Sequence, residues 1–199
     1  VEPVIQNAIG REQAVALQPD FILAWKASFT PRWYGNTAWW QERGVNTYVI
    51  ATANHVLKDA TVEDECKFID DMGRIFDRKA QTDALLRDIR AELRVDEETM
   101  RGREQQTVLV VEVGEGDILN YDEGWVVGDM VRRLGGRIPL TSKYIGEEEL
   151  ISCDPDVIFV TYNDAYGKQF AENFFRAVRF NSLHAVQNNR IHFAPVEYV

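Results

Sequence analysis

The sequence predicts an α/β protein built from two similar lobes, and three observations support this fold class. A segment that combines a glutamate, a Pro-Asp pair and a long apolar run occurs twice, 136 residues apart. Helical patterns alternate with apolar runs over most of the chain, as in sheets covered by helices. Between the two copies, residues 61–101 have an almost purely helical pattern. The two copies comprise Glu12, Pro19-Asp20 and the run 21–25, and Glu148, Pro155-Asp156 and the run 157–162.

Each copy predicts a short helix followed directly by a buried strand. The residue before a proline disfavours the α conformation, and the proline ring removes a backbone donor, so the helix must end there. Unbroken apolar, partly β-branched runs such as 21–25 and 157–162 are typical of strands in parallel sheets. Helix–strand junctions are common in α/β proteins, and a chance match is the alternative explanation.

The first lobe, residues 1–60, is expected to be incomplete. An aromatic loop follows strand 21–25, and a helix near 36–43 is predicted with Asn36 as its cap and Gly44 at its end. Residues 46–50 form the next predicted strand. Two parallel strands bury too little apolar surface to be stable alone. Either a preceding segment is absent from this chain, which we favour, or the lobe pairs with another chain.

Residues 61–103 are predicted to be a helical segment. The first apolar stripe contains Val62, Cys66, Ile69, Met72 and Phe76, and the second contains Ala80, Leu85, Ile89 and Leu93. Gly73 is expected to loosen the first helix, and Asp77 to cap the second. A helix of about 20 residues is roughly 30 Å long and can connect two lobes. We therefore expect one continuous helix near 78–100, with Leu85, Ile89 and Leu93 buried.

Residues 104–199 predict a nearly complete doubly wound lobe. Gly135-Gly136 ends the first predicted helix. The predicted elements are a strand at 107–113, a helix at 125–134, a short strand near 137–139, a helix at 146–152, the repeated strand at 157–162, a helix near 168–180 and a last strand at 190–194.

Composition excludes some functions. The chain has 199 residues, 45% of them hydrophobic, and a net charge of −10 with a pI near 4.8. This charge argues against nucleic acid and does not suggest an anionic membrane as a partner. No apolar run approaches the roughly 20 residues that span a bilayer. Because Val1-Glu2-Pro3 is an unusual natural start, we expect a trimmed or mature product whose secretion signal is absent from this chain.

No motif for catalysis or metal binding stands out. Cys66 and Cys153 are not part of a ligand motif, and we expect them to be buried and inert. The three histidines, His55, His184 and His192, are isolated from one another. Gly114-Glu115-Gly116 matches only half of a dinucleotide fingerprint, and its acidic surroundings would repel a pyrophosphate. We therefore predict no catalytic residue, no metal site and no catalytic cofactor.

In its order of motifs the chain resembles the substrate-binding proteins of ABC importers for iron-siderophores, haem and cobalamin. The resemblance covers nearly all of the sequence. The motifs are the two Glu-(six residues)-Pro-Asp-strand units, Gly44-Val45 before a strand, Asp70-Asp71-Met72-Gly73, the segment 128–136 with the sequence Gly-Asp-Met-Val-Arg-Arg-Leu-Gly-Gly, and the closing segment 185–191 with the sequence Ala-Val-Gln-Asn-Asn-Arg-Ile.

The resemblance implies two Rossmann-like lobes with parallel sheets, bridged by a long helix. It implies a chelate between the lobes and an ABC permease dimer as partner, in the periplasm or at the cell surface as a lipoprotein. Contact with the membrane would be only through the permease or a lost lipid anchor. Compared with the family pattern, this chain lacks about half of the amino-terminal lobe and the closing helix.

The resemblance also gives the repeated glutamates a function. One surface carboxylate from each lobe pairs with arginines of the permease in this family, and Glu12 and Glu148 match these positions. Since both lie upstream of a strand, we expect them at the end opposite to the ligand loops. The alternative is that Glu148 is one of three consecutive glutamates on a solvated helix and that Glu12 lies in a polar turn.

The ligand site is expected at the carboxyl ends of the strands, where loops and helix starts converge. Aromatic rings there could stack on a flat chelate, while Lys26 or Arg32 offsets its negative charge. For Trp39 and Trp40 we favour packing within a helix. The predicted ligand-binding residues are Trp25, Lys26, Arg32, Tyr34, Tyr121, Trp125, Tyr162 and Tyr198.

Two other classes of function stay open from the sequence. A two-lobed α/β chain could be a tetrapyrrole or metal-chelate enzyme, with Glu115, Asp122 or a histidine as acid and base. It could also be an interaction module that binds no small ligand. Turnover of a porphyrin with a metal ion would distinguish the enzyme from a protein that binds its chelate reversibly.

Overall fold

The computed structural model describes residues 9–52 and 56–196, without the side chains of 95–98 and 100. The chain divides into two compact units, Val1–Lys58 and Asp59–Val199. In the first unit the elements are α1 (Arg11–Ala16), β1 (Phe21–Trp25), α2 (Thr37–Gln41) and β2 (Asn46–Ile50). In the second they are α3 (Val62–Ile75), α4 (Lys79–Met100), β3 (Val108–Val113), β4 (Ile118–Asn120), α5 (Val126–Arg133), β5 (Tyr144–Ile145), α6 (Glu147–Cys153), β6 (Val157–Tyr162), α7 (Ala165–Phe175), α8 (His184–Gln187) and β7 (Ile191–Pro195).

The sequence repeat is also a structural repeat. Helices α1 and α6 each follow a glycine whose backbone N–H donates to the side chain three residues further on. The Gly10 N–H donates to Gln13 Oε1 at 3.1 Å, and the Gly146 N–H donates to Glu149 Oε2 at 2.9 Å. These side chains satisfy a donor that the helix itself leaves unpaired. Both helices therefore begin in the same way.

Both helices also end in the same way. The residue before each proline has a positive φ, +49° at Gln18 and +43° at Asp154, so the chain leaves the helix one residue before the ring. Ala14 and Leu150, which occupy equivalent positions of the two copies, are both buried. A chance sequence match does not account for shared caps, shared termination and shared burial.

The first unit matches the elements predicted for it. Strands β1 and β2 pair in parallel, with Phe21 opposite Asn46. The Asn36 side chain accepts a hydrogen bond from the Trp39 N–H at 2.8 Å and caps α2, while Gly44 after α2 has a φ of +79°. In the described part of this unit, β1 and β2 are the only strands.

The second unit contains a five-stranded sheet in the order β5-β4-β3-β6-β7. Strands β3, β6 and β7 are parallel, as predicted, and β4 runs opposite to both of its neighbours. Strands β4 and β5 were not predicted. Gly116, with a φ of +124°, and the hydrogen bond from the Gly114 N–H to the Asp117 carbonyl at 2.9 Å reverse the chain after β3. A tight turn thus takes the place of a crossover helix.

Two other elements of this unit differ from the predictions. The strand predicted near 137–139 is a single bridge between Arg137 and Thr107. The helix predicted near 168–180 begins earlier, because the Asp164 side chain accepts a hydrogen bond from the Gly167 N–H at 2.7 Å and caps α7. That helix ends at Phe175, and a separate 3₁₀ turn covers Val178–Phe180.

The aspartate of the second Pro-Asp pair links two strands. Asp156 Oδ2 accepts hydrogen bonds from the Thr107 N–H and the Thr107 hydroxyl, both at 2.7 Å. These hydrogen bonds, first from the backbone and then from the side chain, hold the pKa of Asp156 below its usual value. The contact joins the amino ends of β3 and β6, so this Asp is part of the sheet's architecture.

The helical segment consists of two helices, as predicted, and α3 and α4 pack as a hairpin. Thr61 caps α3, and Asp77, with a φ of +53°, lies in the turn between the helices instead of capping α4. As predicted, α4 is one continuous helix of 22 residues. Of its predicted apolar positions, Leu85 is wrong, because Leu86 is 5% exposed and Leu85 is 47% exposed, while Ile89 and Leu93 are partly buried. Leu86 packs with Val62 and Cys66 of α3.

Gly73 allows α3 and α4 to approach closely and does not merely loosen α3. This residue is buried, and a Cβ atom added to it would collide with Thr82 Oγ1 and lie 2.8 Å from Thr82 Cγ2. No side chain larger than hydrogen fits between the two helices without a shift.

Among the helices of the described residues, none is long and apolar enough to cross a membrane.

We expect Gly73→Ala to lower the free energy of unfolding by about 1–3 kcal/mol, the usual cost of overpacking. The matched test is the double variant Gly73→Ala/Thr82→Ala, which removes the colliding hydroxyl and methyl groups. Urea unfolding should show that the double variant loses less stability than the sum of the two single variants. Strictly additive costs would show that the two side chains do not meet.

Candidate ligand-binding site

The carboxyl ends of β3 and β6 bring polar and aromatic side chains together in the second unit. Glu112 pairs with Thr161 in the sheet register, and both are one residue from the ends of their strands. Tyr162 and Asn163 come directly after Thr161 in the chain. The parallel order of the strands places all of these residues at one edge, where open α/β sheets bind ligands.

The carboxylate of Glu112 is the centre of a hydrogen-bond network. Its Oε2 accepts a hydrogen bond from the Tyr121 hydroxyl at 3.1 Å, and its Oε1 accepts one from Asn163 Nδ2 at 2.8 Å. Glu112 is not among the residues predicted from the sequence, because it lies within the predicted strand 107–113. A single acidic residue at the carboxyl end of an otherwise apolar strand was the signal that could have identified it.

Tyr121 and Trp125, two of the predicted ligand residues, contact each other. Their ring centroids are 4.9 Å apart in an edge-to-face arrangement. Tyr121 is only 6% exposed and belongs to the core of the unit, while Trp125 is half-buried. Burial raises the pKa of Tyr121 to about 12; a hydrogen bond with Thr161 opposes the shift, and the nearby Glu112 carboxylate adds to it. Tyr121 therefore stays a neutral donor to Glu112.

The loop between β4 and α5 is fixed against the start of α5. Asp122 Oδ1 accepts a hydrogen bond from the Gly124 N–H at 2.9 Å. A Cβ atom at Gly128 would lie 2.6 Å from both the Asp122 carbonyl oxygen and Glu123 Cα, so only glycine allows this approach. This contact explains why Gly128 stands at the start of α5, and it gives Trp125 a defined position.

Tyr162 is half-buried at the end of β6, and the Lys168 ammonium lies 5.8 Å from its ring centroid. Asn120, another polar side chain near this edge, is fully buried. Its amide donates to the carbonyls of Leu140 and Ser142 at 2.9 and 3.0 Å. Asn120 therefore holds the segment around Leu140 and Ser142 in place.

In the first unit, the predicted residues follow the carboxyl end of β1. Trp25, the last residue of β1, is 57% exposed, and Lys26 beside it is also exposed. The Arg32 guanidinium lies 5.2 Å from the ring centroid of Trp33. Tyr34 is half-buried, and its ring meets Phe29 edge-on with centroids 6.2 Å apart. Of the predicted residues in this unit, Trp25, Lys26 and Arg32 are thus exposed and Tyr34 is partly buried.

The two tryptophans of α2 pack as expected. Trp40 is buried, and its indole N–H donates to the Tyr34 carbonyl at 2.7 Å. The Trp39 ring lies near two guanidinium groups, with Arg43 at 3.8 Å and Arg11 at 5.2 Å from its centroid. Both rings therefore make their contacts within the first unit.

The two repeated glutamates lie at the same edges as the ligand residues, and the expectation that they lie at the opposite ends is wrong. A helix that precedes a strand runs back along the sheet, so it begins at the carboxyl edge. Glu12 lines a recess of about 330 Å³ together with Arg32 and Trp33. In the second unit, Ile145 pairs with Ile118, which pairs with Val113 at the end of β3, and α6 starts two residues later.

The three consecutive glutamates of α6 are not equivalent. Glu147 Oε1 accepts a hydrogen bond from Arg179 at 2.8 Å, and Glu149 binds the Gly146 N–H. Glu148 is exposed, and within the described residues its carboxylate has no hydrogen bond or ion pair. Its counterpart Glu12 is exposed as well. The two glutamates at matching positions of the repeat are thus both exposed.

Among the residues that the structure describes, the remaining candidates do not form a cluster that could hold a metal ion. Tyr198 and His55 lie outside the described residues. His184 Nδ1 lies 3.0 Å from Asp154 Oδ2, and the His192 ring packs near Phe159. Across the described positions, no three His, Cys, Asp or Glu side chains are arranged to hold a metal ion. Cys66 is buried and Cys153 half-buried, neither forms a disulfide, and burial raises the pKa of both thiols.

Residues 6–198 match the family described as Periplasmic binding protein, and the chain belongs to that family. A search of curated proteins gave no match. Among solved structures, the chain is similar to a periplasmic binding protein from Veillonella parvula DSM 2008, with a TM-score of 0.84 and 24% identity over 96% of this chain and 62% of that one. The chain thus spans less than two thirds of that protein.

Two further structures share the fold at lower identity. One is the ABC-type Fe3+-hydroxamate transport system from Saccharomonospora viridis DSM 43017, with a TM-score of 0.76 and 19% identity over 96% of this chain and 66% of that one. The other is IsdE from S. aureus complexed with heme, with a TM-score of 0.68 and 20% identity over 92% of this chain and 70% of that one. At these identities, the similarity establishes the fold.

The family identifies the class of protein. It is a family of periplasmic binding proteins, which agrees with the resemblance to substrate-binding proteins drawn from the sequence. The α/β fold with Rossmann-like parallel strands is confirmed, and the first lobe is present only in part.

Proposed function

We propose that this protein is the substrate-binding component of an ABC importer and that it binds a metal chelate. The chain belongs to the periplasmic binding protein family. The observation that supports the proposal is that each of its two units carries accessible aromatic and polar side chains at the carboxyl edge of its sheet. Trp25, Lys26 and Arg32 provide them in the first unit, and Trp125, Tyr162 and Asn163 in the second.

The ligand class follows from the chemistry of these edges. Aromatic rings stack on the apolar faces of a chelate, and a few charged groups orient it. A ferric siderophore is our first choice, with haem or cobalamin as further candidates. Two proteins of the same fold support this choice, because one belongs to an Fe3+-hydroxamate transport system and the other is complexed with heme. The chelate is cargo, and the proposal includes no catalytic cofactor.

We further propose that Glu12 and Glu148 dock on the two subunits of the permease. They occupy the same place in a structural repeat, and both are exposed. The neighbouring side chains of Gln13 and Glu149 instead accept hydrogen bonds from the backbone N–H groups of Gly10 and Gly146. A pair of equivalent anions suits a partner with twofold symmetry. The proposed location is extracytoplasmic, in the periplasm or at a cell surface. No observation favours the alternative of a tetrapyrrole enzyme.

Titration with a chelate should quench tryptophan fluorescence and saturate at one chelate per full-length molecule. The panel comprises ferric hydroxamates, haem and cobalamin, with a nucleotide and a sugar as negative probes. Trp25→Phe should remove part of the quenching, because this exposed ring lies at the proposed site. Trp39→Phe is the matched control, because its ring is held between Arg11 and Arg43. Quenching by the nucleotide or the sugar alone would contradict the proposal.

A further inference from the structure

Glu112 is an ionisable residue in a strand whose other members are all apolar, Val108, Leu109, Val110, Val111 and Val113. It is half-buried, and no Lys, Arg or His in the described part of the chain forms an ion pair with it. Its two oxygens accept hydrogen bonds from two different elements, the Tyr121 hydroxyl after β4 and the Asn163 amide after β6. A carboxylate at such a position needs these donors to offset its partial loss of water.

The network fixes the orientation of the Asn163 side chain. A carboxylate can only accept hydrogen bonds, so the amide must turn its NH₂ group towards Glu112. The other end of the amide, Oδ1, receives no hydrogen bond from the described residues, and Asn163 is exposed. The side chain therefore presents an acceptor, and not a donor, at the carboxyl edge of the sheet.

We infer that Glu112 is a positioning residue for ligand specificity. By holding the Asn163 amide, it makes Oδ1 an acceptor for an N–H or O–H group of the bound molecule. This inference rests on the proposed function and narrows its substrate class to chelates that carry a hydrogen-bond donor, such as a primary ammonium group, outside the metal-binding groups. In the alternative role, Glu112 only accepts the hydrogen bond of the Tyr121 hydroxyl. Substitution of Glu112 would then change the stability of the protein and leave its ligand preference unchanged.

The experiment compares two probes that differ in a donor but not in charge. One is the ferric complex of a linear trihydroxamate with a terminal primary ammonium, and the other is the same complex with a terminal trimethylammonium. The native full-length protein should prefer the first probe by about tenfold, the size expected for one hydrogen bond to a charged donor. Glu112→Gln can donate to Asn163 Oδ1 and turn the amide around, so this preference should fall at least about threefold.

The exchanged pair Glu112→Gln/Asn163→Asp provides the rescue. In this variant the amide at position 112 donates to the carboxylate at position 163, whose second oxygen is again an outward acceptor. Recovery of the preference in the double variant, with melting temperatures close to that of the native protein, would support the inference. A preference unchanged in Glu112→Gln would overturn it, whatever happens to the melting temperature.

The same titrations separate this inference from the proposed function. If the native protein binds haem or cobalamin but neither trihydroxamate, the inference about Glu112 is overturned and the proposed function stands. If it binds none of these chelates, both are overturned.

Discussion

Replacing Asp129 with alanine is expected to lower the free energy of unfolding by about 3 kcal/mol, because it removes a nearly buried carboxylate with several partners. Asp129 in α5 is 2% exposed. Its Oδ2 accepts hydrogen bonds from the Val62 N–H at 3.0 Å and from Arg133 Nε at 2.9 Å, and its Oδ1 pairs with Arg132. The substitution would remove this acceptor from the first turn of α3 and from both arginines.

The pH dependence of the free energy of unfolding should show the contribution of the Asp129 carboxylate. Burial pushes the pKa of Asp129 upward, but the hydrogen bonds from Val62, Arg132 and Arg133 outweigh burial and leave it below the usual value. A lowered pKa in the folded state means that the stabilisation is complete above the unfolded pKa of about 3.9 and is lost as the pH falls through the folded value. Acid should therefore weaken the attachment of α3 to α5.

Urea unfolding at pH 7 and in acid tests this expectation. Asp129→Asn should be less stable than the native protein at pH 7, and the difference should shrink as the pH falls from about 3.9 through the folded pKa. The matched control is Asp88→Asn, which makes the same substitution at an exposed position of α4. An Asp129→Asn variant that is as stable as the native protein at pH 7 would show that the network contributes no net stability.

The strands with the best predicted bounds are β1, β2 and β6, which have the same first and last residues as their predictions. Apolar, aromatic and β-branched residues make up most of each run, and such runs are typical of strands. The two- and three-residue strands β5 and β4 have no such signal. Their formation depends on the turn at Gly116 and on the edge that β3 offers, neither of which follows from periodicity.

The error at Leu85 has a similar cause. Leu85 and Leu86 are adjacent, and each completes an acceptable apolar stripe with Ile89 and Leu93. Neighbouring residues of a helix point about 100° apart around its axis. Packing against the partner helix α3 therefore determines which of the two leucines is buried. Val62 and Cys66 of α3 meet Leu86, and Leu85 stays exposed.

The candidate site could be predicted as a location more readily than as a set of contacts. The rule that ligands bind at the carboxyl ends of parallel strands selected Trp25, Trp125 and Tyr162, which are at least partly exposed there. It could not show that Tyr121 is buried, or that Glu112 binds Asn163 across a separation of 51 residues. Such contacts depend on the register in which the strands pair, and this register cannot be read from a single sequence.

Reversing both repeated charges, in Glu12→Arg/Glu148→Arg, should lower chelate uptake by about tenfold, and each single variant should lower it less. Like charges brought against the arginines of the proposed permease would slow encounter and oppose docking. The matched control is Glu92→Arg/Glu104→Arg, which changes the net charge equally at two other exposed glutamates. Uptake by the control variant should stay near the native level.

The position of Glu12 beside Arg32 requires that chelate affinity be measured separately from uptake. Both glutamates lie at the ligand edges, so distance alone does not isolate them from the chelate. Glu12→Gln and Glu148→Gln remove the charges without adding cations near the site, and their chelate affinities should stay within about threefold of native, since exposed charges interact weakly with their surroundings. Normal affinity with reduced stimulation of the permease ATPase would support docking. Loss of affinity without any permease present would assign these glutamates to the ligand site instead.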